Sequence, residues 1–552
     1  MSNKELTKEP KENKSIITDY FDITKNYQEK YGEKTITLMQ VGAFFEVYGL
    51  KNNATGEISR SKIFDFSQAT NLNIAEKKFN IGDSQVVMAG FRDYQLDKYI
   101  KQLIDQGFTV VVFVQEKDGK TVTRNFHSVH SSGTYISYDT DVSKQTSNNI
   151  MCIWMETFKP MLTSNNSIIV RDTIVYGVAV INIFTGDSSL FEYQTPFFLN
   201  PTTFDELERC VSTFNPSEVI LLSDFDEPTT HTIIKFSGIR CNVVRDLYIK
   251  NDEKAQNCMK QKYIHHILSS FYQPDTFDVC SEFNQNRIAT QSFCYLLNFI
   301  QEHNPDLVRR IELPTFSNTS NRVILANHTL LQLNIIDDNS NDGKSCGNLS
   351  SVLSFLNKCS CSMGRRLFQS QLLNPTFDQD WLNTEYNMID YTRKSYDIVL
   401  PLRKQIQQIR DMEKILRQLV SHKLYPSSIF FLFKSVEIIQ QINTCLYENH
   451  ELSSYLCNNN TTPFIFIDNI SKYFIEFIEQ HLFIDLCRNV NSVKTFEQNI
   501  IKPNISKKLD EILLKQLEYT TSFDSIRSFF NKLMRSTENS SSSQETDYIK
   551  IH

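Results

Sequence analysis

The sequence has no apolar run that approaches the roughly 20 residues a membrane-spanning helix needs. Its first residues, MSNKELTKEPKENKS, are charged and have no apolar core, so no secretory signal peptide is predicted. The same stretch lacks the Arg-rich, acid-poor bias of an organelle transit peptide. These absences predict an intracellular, cytoplasmic protein without membrane contact, and they leave the nucleus and the mitochondrion open as compartments.

An excess of positive charge is also missing. The 57 Lys and Arg residues face 64 Asp and Glu residues, which gives a formal net charge of −7. A nonspecific nucleic-acid binder is therefore not predicted, although the location of a positive face matters more than the sum. The best local basic cluster is Lys117, Lys120, Arg124, His127 and His130. Phosphate contact and a plain solvated hairpin both fit this cluster.

Cysteine pairs with metal-ligand spacing are absent. The 12 cysteines are scattered without a C-x-x-C pair. The two nearest in sequence, Cys359 and Cys361, are too close together for a standard metal knuckle. We therefore expect reduced, mostly buried thiols and no metal site.

The usual catalytic motifs are missing as well. Gly343-Lys344-Ser345 resembles the end of a phosphate loop, but Asp338 stands where that loop needs its first glycine. G-x-S-x-G, H-E-x-x-H and EF-hand patterns do not occur. We expect no catalytic residue and no cofactor in this chain.

The length of the chain and its changing residue patterns predict several structural units. We predict a disordered tail at 1–15, an α/β unit at 16–135, a second α/β unit at 145–262, a helical region at 263–520, and a final piece at 521–552. The last five residues of that piece alternate in the manner of a strand.

Local patterns predict the elements of the two α/β units. In the first, TITLMQVG and FTVVVFVQ indicate strands, and RDYQLDKYIKQLIDQG between them indicates a helix that starts near Asp93 and stops at Gly107. KDGK, residues 117–120, is typical of a hairpin turn. In the second, IVYGVAVINIFTGDSSLFEY indicates two strands joined at TGD, and FDELERCVSTFNPSEVILL a helix followed by a buried strand.

The stretch LMQVGAFFEVYG places two aromatic rings and a carboxylate side by side. In a strand, Phe44 and Glu46 share one face and Phe45 points to the other. Phe45 would then anchor the segment while Phe44 and Glu46 project together. A projecting ring can enter a base stack from the minor groove, most cheaply at a weakened pair. A carboxylate is useful beside a base only if it accepts a hydrogen bond or is protonated. The plainer alternative is a packed strand that ends in a turn.

This stretch resembles the mismatch-reading motif of MutS proteins, in which Gly, any residue, Phe, an aromatic and Glu occur in that order. Other segments resemble the same family in its own order. They are VMAGFRDYQLDKYIKQLIDQGFTVVVFVQ and NFHSVHSSGTYI of the first domain, YGVAVINIFTGD and DELERCVSTFNPSEVILL of the connector, and NRVILANHTLLQLNII, NLSSVLSFLNKCSCSMGRRLFQSQLLNPTFDQDWLNTEYNMIDY, RDMEKILRQL and KKLDEILLKQLEY of the lever and the approach to the clamp. The VGAFFEVYG stretch and the Asn-, Ile- and Lys-rich composition are similar to those of the subgroup found in giant viruses and octocoral mitochondria.

The resemblance implies roles for individual residues. Phe44 would stack on a mispaired base, Glu46 would hydrogen-bond that base, and Gly42 would permit the exposing turn. Phe91, Arg92 and Tyr94, in a loop after Met88-Ala89-Gly90, would contact the DNA backbone, together with the basic candidates Lys120 and Arg124. Gly364, Arg365 and Arg366 of SMGRRLFQ match a family hallmark that physically indicates helix packing.

The resemblance also implies the architecture and the partners. The fold class is multidomain α/β plus α: a mixed α/β mismatch-recognition domain, an RNase H-like α/β connector and a helical lever, truncated before the clamp and ATPase domains. ATP and Mg belong to the complete family protein, so this chain is expected to be no enzyme. Its implied partner is double-stranded DNA with mismatches or small loops, bound by a monomer unless another chain complements it.

Three alternatives remain open. The chain could be a non-catalytic half that docks a separately encoded MutS ATPase half. It could be a decayed, truncated product. A nuclease is the least favoured, because metal-dependent cleavage needs clustered carboxylates and the predicted strands of the connector offer Asp187 at a turn and Glu192.

Overall fold

The computed structural model of the chain describes residues 10–118, 121–136, 147–159, 172–241, 243–316, 327–336, 349–422, 424–459, 464–491 and 498–537. Within these ranges no helix is both long enough and apolar enough to cross a membrane. The Gly343-Lys344-Ser345 triplet, Lys120 and the predicted strand at 548–552 lie outside them.

The first unit is a mixed sheet flanked by helices. In chain order its elements are α1 (Pro10–Tyr31), β1 (Thr35–Val41), β2 (Phe44–Asn52), β3 (Ile58–Ser59), α2 (Ile63–Thr70), β4 (Ala75–Ile81), β5 (Ser84–Arg92), α3 (Leu96–Asp105), β6 (Thr109–Asp118) and β7 (Thr121–His130). The strand order is β4-β5-β2-β1-β6-β7, and β3 pairs with β2. β1 and β6 are parallel to each other, whereas the other neighbours run antiparallel.

Most local predictions for this unit are confirmed. TITLMQVG forms β1, FTVVVFVQ forms β6, and the helix between them is α3, preceded by a 3-10 turn at Asp93–Gln95. Gly107 follows α3 with a φ of +80°, a backbone conformation that suits glycine at a helix end. The β6–β7 hairpin forms with Asp118 opposite Thr121. The predicted tail at 1–15 is wrong for residues 10–15, which belong to α1.

Alternate side chains of a strand point to opposite faces of the sheet, and helices cover both faces of this one. Tyr48 packs against Tyr20 of α1, with ring centroids 5.1 Å apart. On the other face Phe91 packs against Phe66 of α2 and Tyr99 of α3, at 6.4 and 4.4 Å. The sheet is thereby held as a rigid support for its own turns.

The second unit is a sheet that carries helices. Its elements are β8 (Asn149–Phe158), β9 (Thr173–Asn182), β10 (Ser188–Pro196), α4 (Asp205–Phe214), β11 (Glu218–Ser223), α5 (Glu227–Phe236), β12 (Val243–Tyr248), α6 (Glu253–Cys258), α7 (Gln261–Phe271), α8 (Thr276–Val279), α9 (Glu282–Gln285), α10 (Arg287–His303) and β13 (Thr315–Phe316). The strand order is β12-β11-β8-β9-β10-β13. The predicted β9–β10 hairpin, the helix α4 and the buried strand β11 are confirmed.

The predicted end of this unit at residue 262 is wrong. Helix α10 packs on β8 and β9, where Ser292 donates a hydrogen bond to the carbonyl oxygen of Cys152 at 2.8 Å. The buried core continues to Ile311, and β13 pairs with β10. Residues 263–316 therefore belong with the second sheet, since their buried side chains share one core with those of β8, β9 and β10.

The remaining described chain is helical, as predicted. Its helices are α11 (Asn327–Gln332), α12 (Val352–Leu356), α13 (Ser362–Leu373), α14 (Gln379–Lys394), α15 (Tyr396–Ile406), α16 (Met412–Val420), α17 (Pro426–Tyr447), α18 (His450–Asn459), α19 (Phe464–His481), α20 (Ile484–Cys487) and α21 (Lys507–Thr537). The predicted boundary at 521 falls inside α21, which continues through residue 537. The described cysteines are all free thiols. Five of them are buried, four are partly buried, and Cys445 and Cys457 are exposed, so fewer are buried than predicted.

A buried ion pair joins the first two units. Arg245 of β12 pairs with Glu218 of β11 through Nε and Oε1, 2.7 Å apart. The same guanidinium donates to the carbonyl oxygen of Tyr31 at 2.8 Å and to the Thr109 hydroxyl at 3.1 Å. Oε2 of Glu218 accepts from the backbone N–H of Gly133 at 3.0 Å. We call Arg245 and Glu218 the inter-unit ion pair.

A buried cation joins the second unit to the helical region. The guanidinium of Arg417 in α16 donates to the carbonyl oxygens of Leu307, Arg309 (2.6 Å) and Ile183 (3.3 Å). Burial lowers the pKa of Arg417 to about 10, so the group is still charged at neutral pH. A third contact runs from the Tyr425 hydroxyl to Asp97 Oδ2, at 3.2 Å, and connects the helical region to the first unit.

Candidate nucleic-acid interface

The turn between β1 and β2 presents the aromatic pair. Val41 pairs with Phe44, so only Gly42 and Ala43 make the connection. Gly42 has a φ of +62°, the conformation that tight hairpin turns require at their first central residue. Its N–H donates to the side-chain oxygen of Gln115 at 2.9 Å, which ties the turn to β6. Gly42 therefore lies in the turn with a backbone conformation that favours glycine.

Phe44 and Phe45 point in opposite directions, as the strand pattern predicts. Phe45 is 3% exposed and its ring stacks on Phe91, with centroids 6.0 Å apart. Phe44 is 42% exposed at the tip of the hairpin. Its cross-strand neighbour Arg92 places its guanidinium carbon 5.9 Å from the Phe44 ring centroid. The exposed ring of Phe44 thus lies beside the Arg92 cation, and the next residue, Phe45, fixes the strand in the core.

The prediction that Glu46 projects together with Phe44 is wrong. Glu46 is only 8% exposed. Its Oε2 accepts hydrogen bonds from Lys77 Nζ, at 2.9 Å, and from the Tyr48 hydroxyl. Phe44, Glu46 and Tyr48 lie on the same face of β2. Phe44 is at the surface, whereas Tyr48 is buried against α1. Glu46 therefore lies at the border between the exposed tip and the core.

Gly90 of β5 stands opposite Glu46 and leaves room for it. A Cβ at position 90 would lie 2.6 Å from the carbonyl oxygen of Phe45 and 3.3 Å from Cγ of Glu46. A side chain there would push the strand that carries the aromatic pair. Position 90 therefore requires glycine, because the backbone of β2 lies too close to β5 for a side chain there.

The predicted DNA-backbone residues fall into different places. Phe91 is buried and lies at the end of β5, not in a loop, so its side chain cannot contact a phosphate and we remove it from the candidates. Arg92 and Tyr94 are exposed near the hairpin tip. Arg124 of β7 donates through Nε to the carbonyl oxygen of Gln40 at 3.1 Å, which brings it to the same turn. Lys120 lies outside the described residues.

In the basic cluster predicted at 117–130, the two histidines differ in exposure. His130 is buried, and its Nε2 lies 2.9 Å from the Ser128 hydroxyl, whereas His127 is exposed. The nearest ring nitrogen of His127, Nδ1, also lies 2.9 Å from the Ser128 hydroxyl, at a point where the pairing of β6 and β7 shifts register.

Sequence reasoning missed Lys77 and Tyr48. Tyr48 was within reach, because it follows Glu46 by two residues and must share its face. Lys77 was not, since it comes from β4, which lies beyond β5 in the sheet. The local sequence of β4, AEKKFNI, does not predict that Lys77 contacts Glu46.

The carboxylates considered for a nuclease serve other roles in the structure. Asp187 accepts a hydrogen bond from Thr185 within its turn, at 2.6 Å. Glu192 accepts from the backbone N–H groups of Ile288 and Ala289 at the start of α10, at 2.8 and 3.0 Å. Burial raises the pKa of Glu192. Among the residues that the structure describes, no group of three His, Cys, Asp or Glu is placed to hold a metal ion.

The SMGRRLFQ segment holds two helices together. Arg366 of α13 binds Asp411 through two hydrogen bonds, at 2.7 and 2.8 Å, and contacts Glu413 as well. Asp411 also caps α16 by accepting from the N–H of Lys414. Arg365 donates to the carbonyl oxygen of Cys359 at 3.2 Å. These contacts agree with the predicted packing role.

Two family models match this chain. MutS domain I matches residues 15–139, and MutS domain III matches residues 328–547. Together they cover more than half of the sequence and include both the hairpin tip and most of the helical region. The chain belongs to the MutS family.

Curated relatives agree with these matches. A putative DNA mismatch repair protein mutS homologue of Acanthamoeba polyphaga mimivirus is 23% identical, over 83% of this chain and 42% of the relative. DNA mismatch repair protein MutS of Petrotoga mobilis is 22% identical, over 90% and 51%. The mitochondrial DNA mismatch repair protein mutS homologue of Sarcophyton glaucum is 22% identical, over 73% and 43%. The chain spans about half the length of these relatives.

Proposed function

We propose that this chain binds double-stranded DNA at mispaired or looped bases, as a component of DNA mismatch repair. The observation that carries the proposal is Phe44, a ring 42% exposed at the tip of a hairpin whose next residue is locked in the core. The names of the MutS relatives support the process. No catalytic step and no cofactor are proposed for this chain.

The proposed mechanism is selection by deformability. Phe44 enters the base stack from the minor groove and kinks the duplex, which costs a few kcal/mol per unstacked step. A mismatch or a small loop has already weakened that step, so the cost is lower there than in matched DNA. Phe45 and the stacked Phe91 behind it keep the wedge from folding back.

Phosphate contacts would come from the cations around the same turn. Arg92 and Arg124 lie beside the tip, and Tyr94 and Lys120 are further candidates. Phosphate contacts position the protein but do not distinguish sequences. With a net charge of −7 on the chain, we expect modest affinity that falls steeply with salt.

We assign domain roles to the units on this basis. The first unit is the mismatch-recognition domain and the helical region is the lever. The second unit would be the RNase H-like connector. The strand pattern supports this, since β8, β9 and β10 run antiparallel in sequence and β11 and β12 follow parallel to β8.

Fluorescence anisotropy tests the proposal directly. The whole chain is titrated against a matched duplex, a G·T duplex and a one-base-loop duplex at two salt concentrations. We expect tighter binding to the two defective duplexes. Phe44→Ala should lose that preference, about tenfold in affinity, because stacking of one base on one ring contributes ~1–3 kcal/mol.

Phe64→Ala is the matched control, since Phe64 is a second exposed phenylalanine (56%) that lies on α2. It should bind as the unmodified chain does. Equal affinity for all three duplexes, unchanged by Phe44→Ala, would overturn the proposal.

A second candidate function is docking of a separately encoded MutS ATPase half. The observation that favours it is the exposed apolar surface of α21: Ile512, Leu514, Leu517, Tyr519, Phe523, Ile526, Phe529 and Phe530. Large exposed apolar patches mark interaction sites.

Mixing the chain with a phosphate-loop polypeptide from the same genome should give a complex that light scattering detects. Leu514→Glu with Leu517→Glu should abolish that complex, and Lys515→Glu should not; no complex with the unmodified chain counts against this candidate.

A further inference from the structure

We propose that Arg92 is a specificity-determining residue that contacts the minor-groove edge of the base pairs beside a mispaired or looped base and favours A·T over G·C pairs there. The inference rests on the proposed function and deepens it, because it names the duplex context that the chain prefers. The proposed function counts Arg92 among the candidates for a phosphate contact, whereas the position of its side chain favours a contact with a base edge.

Strand pairing fixes Arg92 beside the ring of Phe44. The two residues stand directly opposite each other in the antiparallel pair of β2 and β5, so their side chains lie on the same face of the sheet. The pairing continues into the turn, where the N–H of Asp93 donates to the carbonyl oxygen of Ala43 at 2.9 Å. The ends of the two strands are therefore held together, and a groove that admits the ring of Phe44 also meets the side chain of Arg92.

The distance between the two groups places the cation inside the groove. The guanidinium carbon of Arg92 lies 5.9 Å from the centroid of the Phe44 ring. A ring that stacks on a base lies at the floor of the minor groove, which is about 7.5 Å deep. The same 5.9 Å is less than two base-pair steps of about 3.4 Å each. The guanidinium group is therefore within reach of the pairs that flank the stacked base.

The charge of Arg92 is available for such a contact, because its side chain is exposed. The carboxylates on either side of this position are engaged elsewhere. Asp93 accepts through Oδ1 from the N–H of Tyr94 at 2.8 Å. Glu46 forms an ion pair with Lys77 at 2.9 Å. Within the described part of the chain no carboxylate forms an ion pair with Arg92.

A guanidinium group suits one kind of base edge. It carries five N–H donors and no acceptor. In the minor groove an A·T pair presents only acceptors, whereas a G·C pair also presents the N2 amino group of guanine, which is a donor. Arg92 therefore gains hydrogen bonds at an A·T pair and meets a competing donor at a G·C pair.

A phosphate contact of Arg92 predicts a different result. Phosphate oxygens are the same at every base pair, so a contact with them strengthens binding without a base preference. A base-edge contact changes the ratio of affinities between duplexes that differ in their minor-groove edges. That ratio, and not the affinity alone, separates the two assignments.

The test removes one amino group from the minor groove. Three duplexes carry the same one-base thymine loop, and the pairs on both sides of the loop are A·T, G·C or inosine·cytosine. Inosine lacks the N2 amino group of guanosine, so its pair with cytosine keeps the major-groove edge of G·C and presents only acceptors in the minor groove. By fluorescence anisotropy we expect the unmodified chain to bind the A·T and inosine·cytosine duplexes at least about fivefold more tightly than the G·C duplex. These flanks also unstack more easily than G·C, which adds to the preference without any contribution from Arg92.

Variants of Arg92 isolate its own share of the preference. Arg92→Met should reduce the affinity ratio of inosine·cytosine to G·C about fivefold, the scale of one net hydrogen bond, and the ratio that remains measures unstacking. Arg92→Lys should keep most of the preference, because an ammonium group also only donates. Arg60→Asn is the matched control, since it removes an exposed guanidinium of the same unit and asparagine tolerates the φ of +64° at that position. Arg60 follows Ser59, which pairs with Leu50, six residues along β2 from Phe44.

The outcomes separate this inference from the proposed function. If Arg92→Met weakens binding to all three duplexes by the same factor, or leaves all three affinities unchanged, Arg92 makes no base-edge contact and the inference is wrong while the proposed function stands. If the unmodified chain binds none of the loops more tightly than matched duplexes with the same flanks, the proposed function fails and the inference fails with it. Should Arg92→Met not fold, Arg92→Gln carries the same test, because an amide both donates and accepts and therefore loses the preference.

Discussion

Gly177 shows how much a single missing side chain can decide. It lies in β9, where α10 crosses the sheet. A Cβ there would come within 2.2 Å of the backbone nitrogen of Ala289 and 2.3 Å of the carbonyl carbon of Ile288. Such distances fall inside van der Waals contact with backbone, which cannot rotate away. The helix can approach the sheet this closely only because position 177 is glycine.

Gly177→Ala should therefore destabilise the second unit by roughly 2–4 kcal/mol, because helix and sheet must separate to admit the methyl group. The measurement is urea unfolding followed by the fluorescence of Trp154, which is fully buried in β8. Trp381→Phe in the background removes the other tryptophan of the chain.

Gly364→Ala provides the contrast. Its Cβ would meet Cys359 and Cys361 at 3.4 Å, an ordinary contact, and helix α13 would gain a better helix former. Thermal unfolding by circular dichroism should show a change within about 1 kcal/mol of zero. Similar losses at both glycines would contradict the close-approach argument.

The residue scale also shows where prediction from sequence stops. The pattern of β2 gave the faces of Phe44 and Phe45 correctly, because side-chain alternation is a local property. It gave the wrong exposure for Glu46, since alternation fixes direction but not depth. Depth depends on α1 and on Lys77, which approach from distant parts of the chain.

At the scale of elements, a partly buried carboxylate–guanidinium contact joins α13 to α16. Arg366 and Asp411 have side chains that are 14% and 16% exposed. Two parallel hydrogen bonds give the pair a fixed geometry. Since Asp411 also caps α16, the same side chain sets where that helix begins and how it meets α13.

Arg366→Met should lower the free energy of unfolding by about 2–3 kcal/mol, because it leaves a partly buried carboxylate without its cation. Arg393→Met removes a guanidinium of the same kind from the surface of α14, where Arg393 is 78% exposed beside Asp390. That control should cost less than about 1 kcal/mol. Chemical unfolding of the two variants decides the matter, and equal losses would refute the role given to Arg366.

Element types were predictable and domain limits were not. Strands β1, β6, β9 and β10 and helix α3 carry their periodicity within a dozen residues, so sequence alone locates them. The limits at 262 and 521 required knowledge of which layer each helix covers. Helix α10 reads like any apolar helix, and only its contact with β8 and β9 assigns it to the second sheet.

At the scale of the whole molecule, the first two units share a buried charged centre. His303 of α10 lies next to the inter-unit ion pair, with its ring 5.0 Å from that of Tyr31. Its Nδ1 donates to the carbonyl oxygen of Phe299 at 2.8 Å. Burial lowers the pKa of His303 to about 4. Burial alone would raise the pKa of Glu218, but Arg245 holds it below its usual value.

Both shifts make the chain less stable in acid. Between its ordinary pKa of 6.5 and the folded value of about 4, His303 binds a proton only in the unfolded state. Stability is therefore complete above pH 6.5 and falls as the pH drops towards 4. The depressed pKa of Glu218 acts in the same direction at still lower pH. From pH 7.5 to 5.0 we expect His303 to account for a loss of about 2 kcal/mol.

Urea unfolding of the second unit at the two pH values, followed through Trp154, measures this loss. His303→Phe should flatten the pH dependence by that amount, since phenylalanine keeps the ring contacts and does not titrate. His266→Phe, which removes an exposed histidine of α7, should leave the slope as it is. A slope that His303→Phe does not change would rule out His303 as the titrating group.

The inter-unit ion pair has a practical consequence for dissecting the protein into fragments. A fragment that ends at residue 136 would leave the Tyr31 carbonyl and the Thr109 hydroxyl without Arg245. A fragment that starts after it would leave Glu218 without the N–H of Gly133. Each cut leaves hydrogen-bonding groups of this buried contact without their partners, and each fragment would lose stability for that reason. A piece that runs from residue 10 to residue 316 keeps the hairpin tip, the inter-unit ion pair and the second sheet together, and it loses only the hydrogen bonds from the helical region, such as those that Arg417 donates to Leu307, Arg309 and Ile183.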